Sequence, residues 1–164
     1  MYQSDIARLD KSQVNLDKRR IERKRSKTEQ HPNVPVVNYL LWKKTANLLE
    51  KFIDTDDRNT LALVNEEGKP LQAKFIGEDG KAKRVCNITT AYKRLKARLG
   101  LSHPLAQLRK TSANLLYNSK QYRPFHFLFL GHAPRSVAER FYVSDKKTTL
   151  DHAIRWLGKQ LGIE

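Results

Sequence analysis

Cysteine is almost absent from this chain, Cys86 being the only one. That excludes an internal disulfide and a cysteine-rich zinc site. Acidic residues are also short, 17 Asp and Glu against 32 Lys and Arg, which leaves a formal charge of +15 and a pI of about 10.1. An acidic polymer is the expected partner, nucleic acid first and membrane surface a weaker second. No apolar run approaches the ~20 residues that a bilayer span needs, and the polar start MYQSDIARLD does not read as a signal peptide. A soluble, cytoplasmic protein with no membrane association is expected. Glycine and proline number only 7 and 6 in 164 residues, and neither repeats nor low-complexity linkers interrupt the chain. Length and pattern therefore predict one domain over 1–164.

Along the chain, Ile6 and Leu9 stand at helical spacing with Asp5 in the first turn, where a negative charge suits the helix dipole. The basic run KRRIERKRSK (18–27), followed by NVPVV (33–37), predicts a β-hairpin, with Pro32 and Pro35 at edges or turns. Its cations Lys18, Arg19, Arg20, Arg23, Lys24, Arg25 and Lys27 face a single Glu22. Nonspecific phosphate binding explains that imbalance better than solubility does. Leu48, Leu49, Phe52 and Ile53 fit one buried face of a helix starting near Leu41 and ending before residue 54. LALV (61–64) reads as a short buried strand or a helix end. The turn-rich segments EEGKP and GEDGK make everything up to about residue 82 the most loop-like region.

Val85, Ile88, Tyr92, Leu95 and Leu99 then mark an amphipathic helix, stopped by Gly100 and carrying Lys93, Arg94, Lys96 and Arg98 on its outer side. That face is a solvated surface or a DNA contact. Ser102 is placed to cap a following helix with Pro104 in its first turn and Leu105, Leu108, Leu115 and Leu116 as its buried stripe. The aromatic run YRPFHFLFL (122–130) predicts a buried short helix or extended piece; base stacking is the sharper alternative, but aromatics chiefly supply buried area. Beyond Pro134, Val137 and Phe141 mark one face of a short helix. Thr148 or Thr149 can cap a last helix with Asp151 in its first turn and Leu150, Ile154, Leu157 and Leu161 as its stripe.

Two segments read together as one phosphate-handling site: LRKTSANLL (108–116) and LGHAPRSVAERFY (130–142). Taken singly, a helix arginine, a histidine after glycine and a tyrosine one helix later are ordinary. In this order and spacing, Arg109 in LRKT, His132 in LGH and Tyr142 in ERFY resemble the catalytic domain of the tyrosine recombinase (phage integrase) family. Upstream, Lys27 in RSKT is similar to the family's hairpin lysine, and SDIARL (4–9) to the helix after its first active-site arginine. The likeness covers about residues 4–143. It implies an α+β, mainly α fold, a helical bundle with a small N-terminal antiparallel β-sheet, which stands here as a catalytic domain without the family's separate DNA-grasping domain.

The resemblance also implies function: a site-specific recombinase or integrase that cuts and rejoins double-stranded DNA through a 3′-phosphotyrosine, with neither cofactor nor metal. Arg109 would neutralise nonbridging oxygens, His132 would donate to another, Lys27 would protonate the departing 5′ oxygen, and Tyr142 would attack phosphorus. Arg23, Lys24, Arg25, Lys110, Lys93, Arg94 and Arg135 are the expected DNA contacts. The C-terminal tail, 146–164, would either dock on a neighbouring protomer on DNA or fold back on its own core. Two departures stand out: Ala106 where the family has histidine or lysine, and Tyr2 where it has its first arginine. They favour, as a second reading, a weakened or noncatalytic DNA-binding domain of the same fold. A type IB topoisomerase shares the chemistry, and a basic RNA-binding protein would account for the charge alone.

Overall fold

The structure is a computed structural model describing residues 1–133 and 147–164. Its described elements form an α+β fold: six α-helices, a three-stranded antiparallel sheet and a separate two-stranded hairpin. The order is α1 (Gln3–Ala7), β1 (Val14–Asn15), β2 (Arg20–Arg23), β3 (Val37–Leu40), α2 (Lys43–Phe52), β4 (Gln72–Ile76), β5 (Ala82–Cys86), α3 (Asn87–Arg98), α4 (Ala106–Asn118), α5 (His126–Phe129) and α6 (Lys147–Gln160). None of the described helices is long and apolar enough to cross a membrane.

β2 is the central strand, pairing with β1 through Val14–Ile21 and with β3 from Arg20–Leu40 to Arg23–Val37. The expected hairpin is present, but its second strand begins at Val37 and not at 33. Proline explains the shift: Pro32 and Pro35 cannot donate to the ladder, and both fall in the connection. Paired residues share a face, which sets Ile21, Arg23, Val37 and Tyr39 on one side of the sheet and Arg20, Glu22, Asn38 and Leu40 on the other.

Two clusters make the core. The larger joins Val37 and Leu40 of β3, Leu116 of α4, the aromatic run from Tyr122 to Leu128, and Leu150, Ala153, Ile154 and Leu157 of α6. The aromatics are therefore core, as their buried area suggests, folded as one 3₁₀ turn (Arg123–Phe125) running into α5. The smaller cluster gathers Leu9, Ile21, Leu41, Ala46 and Ala62. LALV is neither helix nor full strand: Leu61 and Val64 each make an isolated bridge while Ala62 is sealed inside.

α6 packs Leu150, Ala153, Ile154 and Leu157 into this chain's own core. It begins at Lys147, ahead of Thr148 and Thr149, which puts Asp151 beyond the first turn. There its carboxylate accepts from both terminal guanidinium nitrogens, Nη1 and Nη2, of Arg20, which ties α6 to the sheet. Trp42 makes a second tie, its indole N–H donating to the Ile154 carbonyl at 2.8 Å. A Cβ on Gly158 would come within 2.6 Å of that indole nitrogen. Alanine is the better helix former by about 1 kcal/mol. Even so, Gly158→Ala should destabilise by roughly 1–2 kcal/mol through overpacking, read as a lowered urea midpoint.

Helical periodicity located stripes but misjudged their cover. Leu48 and Phe52, expected in the core, are exposed, and α2 buries only Ala46 fully. Leu108 is 60% exposed, and α4 starts at Ala106 with no side-chain cap from Ser102. α3 starts at Asn87, so Val85 belongs to β5, and no α3 residue is fully buried. Gly100, at φ 64°, ends that helix as expected.

Candidate functional site

The site is assembled around the start of α1. Asp5 at the third helical position receives the Tyr2 backbone N–H at 2.6 Å, and its other oxygen accepts both the N–H (3.0 Å) and the hydroxyl (2.6 Å) of Ser26. Burial alone would push the Asp5 carboxyl upward. The Ser26 hydroxyl, the two backbone donors and the Arg23 charge outweigh it and hold the pKa below the ordinary carboxylate range. These bonds pin the β2–β3 turn to α1, and Lys27 stands exposed in that turn, next to Ser26.

Arg23, expected as a DNA contact, is not an exposed cation. It is 5% exposed, beneath α1, with one guanidinium nitrogen on the Asp5 carbonyl and another 3.8 Å from its carboxylate. The charge run conceals a structural arginine because its acidic neighbour lies 18 residues upstream.

Lys24 and Arg25 follow, both half-buried. The Arg25 guanidinium lies 4.5 Å from the centre of the Tyr2 ring, and the Arg109 guanidinium, from α4, lies 3.7 Å from the same ring. Neither arginine makes an ion pair among the described residues, and the Arg25 Nε–H is buried with no acceptor among them. Arg109 donates to the Leu130 carbonyl at 2.7 Å. LRKT and LGH are thus in direct contact through residues 21 apart in sequence.

The LGH turn has its own supports. Gly131 N–H reaches the Leu128 carbonyl at 2.8 Å and His132 N–H the Phe127 carbonyl at 3.0 Å. Gly131 has φ 63°, and a Cβ there would stand 3.3 Å from the Tyr39 hydroxyl, so a side chain is opposed by both backbone and neighbour. Tyr39 donates to the Phe129 carbonyl at 3.2 Å.

Tyr2, Tyr39, Arg109, Lys110 and His132 line one cavity of about 790 Å³, together with Arg84 from β5 and Ala106 from α4. Burial pushes the Arg109 pKa down against the opposing pull of Tyr2, Tyr39 and Asp5, and the nearby Arg25 charge adds to the lowering. Two guanidiniums on one aromatic ring, neither in an ion pair among the described residues, lose solvation and repel each other. An oxyanion bound by both would relieve that cost, and the planar forks fit phosphate oxygens.

Burial also raises the Tyr39 phenol to about 12. Its folded pKa exceeds the unfolded value near 10, so the stability it contributes is complete below about pH 10 and is lost as pH rises through about 12. In an absorbance titration at 295 nm, wild type minus Tyr39→Phe should therefore show a phenol ionising near pH 12. A difference curve centred at pH 10 would contradict this.

Of the remaining expected residues, Lys93 and Arg94 are exposed on α3, and Lys110 is exposed at the cavity. Tyr142 and Arg135 lie outside the described residues. Sequence reading missed Tyr39 and Arg84, and it treated Tyr2 only as a departure. The signal for Tyr2 was there, since an aromatic ring accepts guanidiniums by cation–π attraction. Tyr39 and Arg84 carried no local mark. No family model, no curated protein and no solved structure matches this chain.

Proposed function

We propose that this chain is a DNA strand transferase of the tyrosine recombinase type, breaking and rejoining a phosphodiester through a covalent phosphotyrosine. The observation that carries the reading is the Arg109 side chain, hydrogen-bonded to the LGH turn and sharing the Tyr2 ring with a second unpaired guanidinium, Arg25. A metaphosphate-like or pentavalent phosphoryl group needs such cations on its nonbridging oxygens.

In this mechanism Arg109 and Arg25 neutralise the nonbridging oxygens, and Arg25 takes the part that the family gives to the arginine replaced here by Tyr2. The Tyr142 phenol gives up its proton to solvent and its oxygen bonds to phosphorus as the bond to the 5′ oxygen breaks, and Lys27, exposed on the pinned turn, gives that oxygen its proton. His132, at the cavity, orients the phosphate. The phosphotyrosine keeps the energy of the broken ester, so a free 5′ hydroxyl can reverse the step. A second reading, a noncatalytic DNA-binding domain, is favoured by the Tyr2 ring itself, which covers a face of Arg109.

Nicked suicide duplexes separate the two. Wild type should form a covalent protein–DNA adduct that resists denaturation and disappears in Tyr142→Phe. DNA binding without any adduct supports the noncatalytic reading, and an adduct that survives the substitution places the nucleophile elsewhere.

A further inference from the structure

The β4–β5 hairpin lies in the region expected to be loop, and its register brings like charges together. Lys74 pairs directly with Arg84, flanked on the same face by Gln72–Cys86 and Ile76–Ala82. Directly opposed cations destabilise a two-stranded ladder, and that face carries no acid to offset them. The nearby acid Asp79 is engaged elsewhere, 3.3 Å from Lys83, which belongs to the opposite face. Neither Lys74 nor Arg84 makes an ion pair among the described residues, and both are exposed.

Arg84 also lines the cavity that holds Arg109 and Lys110, so the cations continue from the candidate phosphate site onto the hairpin. β5 passes without a loop into α3, whose Lys93, Arg94 and Arg98 are exposed. A succession of unpaired cations leading out of a phosphate site fits a polyanion whose charges repeat along a line.

From this we infer that the β4–β5 hairpin is a DNA arm: Lys74 and Arg84 hold backbone phosphates of a duplex next to the phosphate that occupies the Arg109 site. The inference rests on the DNA reading above and adds to it a binding element. Phosphate contacts of this kind fix position without reading bases, so the arm supplies affinity and not sequence preference.

Anisotropy of the full chain with a labelled duplex of about 30 base pairs, titrated across salt concentration, tests it. Lys74→Gln with Arg84→Gln should lower affinity about tenfold at low salt and flatten the slope of log K against log salt by about 2, one unit per phosphate contact. Lys44→Gln with Lys51→Gln, exposed on α2, removes the same net charge and should change the slope little. All four residues are exposed, so near-ultraviolet circular dichroism should match wild type. Equal losses in the two double variants would overturn the arm while leaving the DNA reading intact. A wild-type chain that binds no duplex DNA would sink both, and tighter binding to duplex RNA would overturn DNA as the partner.

Discussion

Arg109→Ala should reduce covalent adduct formation on suicide duplexes by about 10²–10³-fold, the range seen when one preorganised oxyanion donor is removed. Two losses combine. The guanidinium no longer meets the phosphate, and the bond to the Leu130 carbonyl that holds the LGH turn disappears. Arg109→Lys keeps the charge but not the planar fork, so it should recover only part of the rate. DNA affinity should fall far less than the rate, since many other cations contribute to it. A variant whose rate and affinity fall equally would mean that Arg109 is an ordinary binding residue.

Asp5→Ala should be the most destabilising substitution at the site, at about 3–5 kcal/mol. Removing it leaves the Arg23 guanidinium buried beside no carboxylate and strips Ser26 and the start of α1 of their acceptor. Urea unfolding followed by circular dichroism reads this directly. The pH dependence has a definite sign. The folded pKa of Asp5 is depressed, so its contribution is present above about pH 4 and is lost as pH falls through the lower folded value. Asp5→Asn should abolish that part of the acid-induced loss. An acid limb unchanged in Asp5→Asn would assign the lability to other carboxylates.

How far the fold was legible differs by element. α4 and the LGH turn were readable because their signals are local: an apolar stripe ending in Leu115 and Leu116, and a glycine where the chain must take positive φ. The aromatic run was readable as core because burial is what phenylalanines offer most. The α2 stripe misled, since period 3.6 says which residues share a face but not whether another element covers it. Phe52 sits on such a face and is 63% exposed.

Long-range partners were the main blind spot. Arg23 looked like its basic neighbours until Asp5 was seen against it, and no window in the sequence contains both. The β4–β5 hairpin was missed for a different reason. Asp79 and Gly80 signal a tight turn, but QAKFI alternates over only four residues and AKRVC does not alternate, too short a pattern to mark a strand. Both strands are almost wholly exposed, so burial adds no signal to it.

The proposed chemistry requires Arg109 and Arg25 to serve one oxyanion between the α1 start and the LGH turn. Crystals of the chain soaked in tungstate, a heavy phosphate mimic, test that most directly through anomalous difference density. A peak within hydrogen-bond distance of both guanidiniums is expected. A tungstate bound elsewhere, with this position empty at saturating concentration, would contradict it.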